Sequence, residues 1–421
     1  MKIIPCEHAT SHKWIAGASL LMFASMAGQT SLLAQFSGAL RQEFDLSNSG
    51  FSLLYSGATF ISACAIFFAG ALADRVSAKT LATLTIMLLM LTALCAPFIQ
   101  NTFQLAVFLT SLRFFGQGML IHIAMTSMGR WFERRRGRAL SITALGLTVG
   151  EAIIPFSVAV ALSSLDWRSV WLVIAFALVV VILPLLLLLF KHAPRAYADR
   201  NATELAGGHS FDENKSGREW PRRRVLRDPL FWILFPGLLT MPCIGSLIIF
   251  HQGHLAGLKG WSQLQFTAFL PVIAVTSACA SLLGGALVDK FGAWRMISVY
   301  LLPLMLACIG LAMIESLAWL PVILTLFGIT LGLSGLLISS LWLELYGTAH
   351  AGSIRAISTS GVIVASAFGP GIAGVFIDLG VTLEKQAVFF AVWCMGWSGV
   401  YLACRGKLLR RIRPRPAPAV K

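Results

Sequence analysis

The stretch VWLVIAFALVVVILPLLLLLF, residues 170–190, contains no charged side chain. At about 1.5 Å of rise per residue, a helix of that length is roughly 30 Å long, the thickness of a bilayer's hydrocarbon core. The whole chain has the same character: 57% of its 421 residues are hydrophobic and 12% are charged. In ordinary globular proteins about a quarter of residues are charged, so a water-soluble core does not account for this composition, and lipid is the expected solvent.

Outward from 170–190, similar runs occupy 14–36, 50–72, 80–99, 103–128 and 139–163 on the amino-terminal side. Beyond a polar gap they recur at 229–250, 266–288, 296–314, 317–341, 354–377 and 387–402. The pattern predicts an all-α membrane protein with twelve transmembrane helices in two six-helix bundles, residues 1–190 and 229–404. A cytoplasmic linker, 191–228, joins them, and a basic cytoplasmic tail, 405–421, follows. The first run is too long for a signal-peptide core and lacks a small-residue cleavage pattern, so it reads as a retained helix.

A net charge of +15 raises the question of nucleic acid, and the placement of the basic residues answers it. With both termini in the cytosol, about 28 Lys and Arg fall on the cytoplasmic side, about four outside and one, Arg113, within a span. The clusters Arg134, Arg135, Arg136 and Arg138, then Arg222 to Arg224, then Arg405 to Arg415, each flank an apolar run. This is a membrane-anchoring distribution, and no nucleic-acid partner is expected. Cysteines lie mostly inside apolar runs and imply no disulfide framework. His251 and His254 have a metal-compatible spacing but no carboxylate or thiol nearby in sequence, so neither a metal site nor a cofactor is expected.

The two halves echo each other. Gly70-Ala-Leu-Ala-Asp74-Arg75 closes the second span and Gly285-Ala-Leu-Val-Asp289-Lys290 the eighth; Arg138-Ala-Leu-Ser141 opens the fifth and Arg355-Ala-Ile-Ser358 the eleventh. In each loop the glycine permits close helix approach, and the carboxylate can cap a helix or pair with a basic residue. Gly70, Asp74, Arg75, Gly285, Asp289 and Lys290 are therefore read as a conformational latch. Internal repeats of this kind are how transporters build two access paths around one site.

These residues carry a family resemblance. The Gly-x-Leu-x-Asp-Arg segment, and Arg113-Phe-Phe-Gly116-Gln-Gly118 in the fourth span, resemble motifs of the major facilitator superfamily over essentially the whole chain. After Asp74 the usual glycine is replaced by Ser77, whereas the second copy keeps Gly292. Trp131 to Ala139, and Glu344-Leu-Tyr346-Gly347-Thr-Ala-His350, resemble the monocarboxylate and oxalate/formate branch. The resemblance implies secondary transport of a small organic solute by alternating access in the inner membrane, coupled to a proton or counter-solute, with the protein monomeric.

Arg113 lies about ten residues into its span, near mid-depth, where charge is expensive and functional. Gln117 is one turn further along the same face. With Gln29, Trp342 and Phe327, these form the expected substrate-binding set. Glu151, at similar depth in the fifth span, is the expected proton-coupling residue. A carboxylate buried alone takes up a proton and one beside an arginine stays ionised, and Arg113 is its natural partner. Structural roles for both residues stand beside these readings: an arginine bracing helix carbonyls, and a permanent ion pair. In the seventh span, Pro236, Gly237, Pro242 and Gly245 are expected to weaken the helix. Efflux of hydrophobic toxic compounds and a non-transporting receptor are the alternatives. No nucleophile elbow, paired intramembrane aspartate or His-Glu-x-x-His segment supports an enzyme, and no ATP-binding loop is present.

Overall fold

The computed structural model describes residues 11–69, 76–132, 136–191, 193, 220–347 and 351–412. Among them the regular structure is helical and no strand occurs. Eleven helices are long and apolar enough to cross a membrane: α1 (His12–Glu43), α2 (Asn48–Ile66), α3 (Ala78–Phe98), α4 (Thr102–Met128), α5 (Arg138–Leu162), α6 (Trp167–Leu189), α7 (Pro229–Phe250), α8 (Gln263–Val288), then α10 (Leu317–Tyr346), α11 (Ile357–Asp378) and α12 (Leu383–Arg411). Between α8 and α10, the shorter apolar α9 (Leu302–Met313) holds the position expected of a full span over 296–314. The difference has a local cause. Residues 297–301 form turns, and Pro303 stands in the first turn of the helix, where its missing N–H is harmless but where it starts a new element.

The chain forms two compact units, residues 1–209 with 249–271, and residues 210–248 with 272–421. The segment 249–271, which the sequence divides between the seventh and eighth spans, thus belongs to the first unit.

In the first unit, α5 lies directly on α1. A Cβ at Gly146 would stand 2.0 Å from the Ser19 carbonyl oxygen, and one at Gly150 would stand 2.5 Å from Met26 Cγ. Large side chains such as Phe176 and Leu188 on α6 remain about two-thirds exposed, as a lipid-facing surface requires. At the opposite end from the basic loops, Glu43 accepts the Trp167 indole N–H and pairs with both Nη1 and Nη2 of Arg168, and Nη2 also donates to the Ile99 carbonyl at 3.0 Å. That cluster ties the ends of α1, α3 and α6 together.

In the second unit α7 runs as one helix through Pro236 and Pro242. The stretch they weaken is braced from neighbouring helices: Tyr300 donates to the Gly237 carbonyl at 2.6 Å and Tyr401 to the Leu234 carbonyl at 3.0 Å. The approach of α8 and α10 depends on Gly332, where a Cβ would lie 2.1 Å from the Ser277 carbonyl oxygen. Gly285, expected to serve close approach, does not: a Cβ there would meet no atom within 4 Å. The close approach is made instead by the neighbouring Gly284, where a Cβ would lie 2.4 Å from Leu333 Cδ2 of α10, so Gly285 is turned away from that contact.

Candidate functional site

Three of the residues singled out in the sequence meet in the first unit, and the reason is a break in α1. Regular helix covers Ser11–Ala24, a 3-10 turn follows at Ser25–Gly28, Gln29 is extended with φ −80° and ψ 150°, and helix resumes at Thr30–Leu33. An extended residue inside a span leaves backbone carbonyls without helical partners, and these need a donor. Opposite the break, Arg113–Leu120 of α4 is wound as π-helix, a widened geometry common at functional sites. The two irregular segments touch backbone to backbone. A Cβ at Gly28 would lie 2.2 Å from the Leu112 carbonyl oxygen, and one at Gly116 would lie 2.6 Å from the Gly28 nitrogen.

That contact delivers the side chains. Arg113, 1% exposed, donates through Nη1 to the Gly28 carbonyl at 2.9 Å and to Thr30 Oγ1 at 3.4 Å. Its guanidinium stands 5.0 Å from the centre of the Tyr55 ring, and the Tyr55 hydroxyl shares a 2.6 Å hydrogen bond with Thr30. One step along, Gln117 Nε2 donates to Gln29 Oε1 at 3.2 Å, and Gln29 Nε2 reaches Ser25 Oγ at 3.5 Å. Arg113 Nε is buried without an acceptor. A guanidinium has five N–H donors, so this one is anchored with donors to spare.

Arg113 and Glu151 were expected to pair, and they form no ion pair among the described residues. The physical reason is that the break in α1 supplies Arg113 with an oxygen partner of its own at Gly28. Glu151 instead follows Gly150, the residue that seats α5 on Met26 and Phe23 of α1. The two ionisable groups are separate features of one unit.

Trp342 and Phe327 lie in the second unit, both 3% exposed. Trp342 packs against Phe231 at 4.7 Å and Tyr346 at 5.9 Å between ring centres, and its indole nitrogen is buried without an acceptor. Gly70, Asp74 and Arg75 lie outside the described residues, as does the Asp289 side chain. Lys290 is exposed, 5.3 Å over the Phe291 ring. Next to the second loop copy, Gly292 adopts φ +82°, and Glu344 of α10 accepts the N–H groups of Ala293 at 2.6 Å and Trp294 at 3.2 Å. The cap seen at this loop therefore comes from Glu344. His251 Nε2 lies 3.3 Å from Ser52 Oγ, and no group of three potential metal ligands occurs among the described residues.

Sequence reasoning missed Gly28, Thr30 and Tyr55. Gly28-Gln29-Thr30 in the middle of an apolar run was the available signal, since Gly followed by two polar residues marks a weak point in a span.

Comparison with known proteins agrees on the architecture. A family model described as Major Facilitator Superfamily matches residues 18–370. The bacterial homolog of the human lysosomal transporter Spinster, in its inward-facing, unoccupied form, superposes with a TM-score of 0.71 at 14% identity, covering 98% of this chain and all of that one. A variant of the nucleoside transporter NupG gives 0.64 at 13% identity, over 95% of this chain and all of that one. Among curated proteins, an uncharacterized 38 kDa protein in the 23S RNA operon of Thermoproteus tenax is 28% identical over 263 residues. The chain spans 60% of that protein's length.

Proposed function

The chain belongs to the major facilitator superfamily, and on that premise we propose that it moves a small organic anion, of monocarboxylate type, by alternating access coupled to a proton or to solute exchange. Its membership makes it a multi-pass membrane transporter; the anion and the coupling are our reading. The observation that carries the reading is the buried Arg113, held by Gly28 and Thr30 with its Nε unpartnered, beside the Gln29–Gln117 amide pair. A guanidinium already fixed in place loses little freedom when an acceptor arrives, and its fork suits a carboxylate. The amides add neutral donors and acceptors that fix the orientation of the solute's remainder. Glu151, with no ion pair among the described residues, is the proposed proton carrier, and the plasma membrane the proposed location.

The experiment is a thermal-shift screen of purified protein against carboxylates, neutral metabolites and hydrophobic drugs at two pH values, followed by counterflow of any hit in proteoliposomes. Stabilisation by monocarboxylates that Arg113→Lys removes supports the reading. Stabilisation by hydrophobic cations alone would replace it with efflux of toxic compounds. That second reading is favoured by one feature, the buried aromatic packing of Trp342 with Phe231, Phe235 and Tyr346.

A further inference from the structure

The end of the second unit where α7 begins and α10 and α12 finish carries two tryptophans, each attended by two arginines. Arg224 and Arg411 lie 4.2 Å and 5.1 Å from the Trp220 ring centre. Arg295 and Arg405 lie 4.8 Å and 5.8 Å from that of Trp294. Both tryptophans are tied to the last turn of α10 through their backbones. The Trp220 backbone N–H donates to the Tyr346 carbonyl at 3.1 Å, with the Tyr346 ring 5.5 Å from the Trp220 ring, and Glu344 accepts the Trp294 backbone N–H at 3.2 Å. The arrangement is built, since four elements converge on it.

Its charge is unbalanced. Asp228 is occupied by a two-pronged pairing with Arg411, by the Tyr346 hydroxyl at 2.8 Å and by the Leu230 N–H at 3.1 Å. Glu344 is occupied by two backbone N–H groups. Arg224, Arg227, Arg295, Arg405, Lys407 and Arg410 are exposed and have no ion pair among the described residues. The final stretch of α12 turns Tyr401, Cys404 and Leu408 inward and Arg405, Lys407 and Arg410 outward, so it is an amphipathic extension of a span. The cluster sits where apolar spans end, the depth at which tryptophan prefers the lipid interface.

We propose that this surface binds the headgroups of anionic phospholipids, with the indole-held arginines gripping the phosphate. An arginine stacked on an indole is oriented before its ligand arrives, and the planar fork matches a phosphate's oxygens better than a lysine's point charge. The site is independent of whatever solute the protein carries. It gives α12 and the start of α7 a lipid-composition-sensitive hold on the membrane surface.

The test uses the full-length protein in nanodiscs of brominated phosphatidylcholine, then of equal parts brominated phosphatidylcholine and brominated phosphatidylglycerol. The fluorescence lost by the two indoles is taken by difference from Trp220→Phe/Trp294→Phe protein. We expect roughly twofold greater quenching with the anionic lipid, an excess removed by Arg224→Gln/Arg405→Gln and kept in part by lysine at both positions. Equal quenching of the unmodified protein by the two compositions overturns the proposal without recourse to any arginine variant. So does an excess that survives in the glutamine protein. An excess abolished by inorganic phosphate on the order of 10 mM would also overturn it, assigning the surface to a free anion.

Discussion

In the proposed function Arg113 is the residue that meets the solute, and its bonds to Gly28 and Thr30 make a bracing role the alternative that a substitution must separate from binding. The hydrogen bonds to Gly28 and Thr30 both come from Nη1, and Nε has no acceptor among the described residues. Arg113→Lys keeps the charge and loses the fork. We expect solute affinity to fall at least tenfold, on the order of 1.5–3 kcal/mol for a charge-assisted hydrogen bond, while the melting temperature of the empty protein changes little. A large loss of thermal stability with unchanged transport would make Arg113 a brace. Gln117→Leu is a milder change: it strands Gln29 Oε1, and a several-fold loss of affinity without loss of expression is expected from uptake measurements.

Among the elements, glycine-mediated contacts sort sharply. Gly332→Ala places a methyl group 2.1 Å from a backbone oxygen, whereas Gly285→Ala meets nothing within 4 Å. The first is expected to destabilise the protein by about 1–3 kcal/mol through overpacking and the second to be neutral, readable in thermal unfolding of the purified variants. This contrast also marks where sequence reading stops. Helix number and order were legible in the apolar runs because a segment facing lipid has to satisfy its backbone hydrogen bonds internally, which a helix does. Which glycine presses on a neighbour depends on helix rotation, which hydropathy does not encode. The loop copies diverge for a related reason: Gly292 occupies a left-handed turn, while Ser77 caps α3 by accepting the Thr80 N–H at 3.1 Å. Similar motifs therefore end in different local structures. In the site, Arg113, Gln29 and Gln117 stood out as polar groups in apolar runs, but the π-wound turns of α4 and the carbonyl at Gly28 are backbone features with no side-chain signature.

At the scale of the molecule, each unit has its own polar anchor near a membrane surface. In the second it is Asp228, 4% exposed. Burial alone would raise its pKa, but the Arg411 guanidinium and the Tyr346 hydroxyl outweigh that and hold the carboxyl below its usual range. Its contribution is then complete above the ordinary carboxylate pKa near 4 and is lost as pH falls through the lower folded-state value. Asp228→Asn should cost roughly 1–2 kcal/mol at neutral pH, discounted because Arg411 is partly solvated. The difference between the two proteins should shrink below about pH 4 in thermal unfolding against pH.

In the proposed function Arg113 and Glu151 do separate work, one meeting the solute and the other the proton. Transport in proteoliposomes under an imposed pH gradient, set against solute exchange without one, tests this in Glu151→Gln protein. Loss of gradient-driven accumulation with exchange near the unmodified rate is the result expected of an independent proton carrier. Equal loss of accumulation and exchange would contradict it and make Glu151 part of the structure that holds the solute.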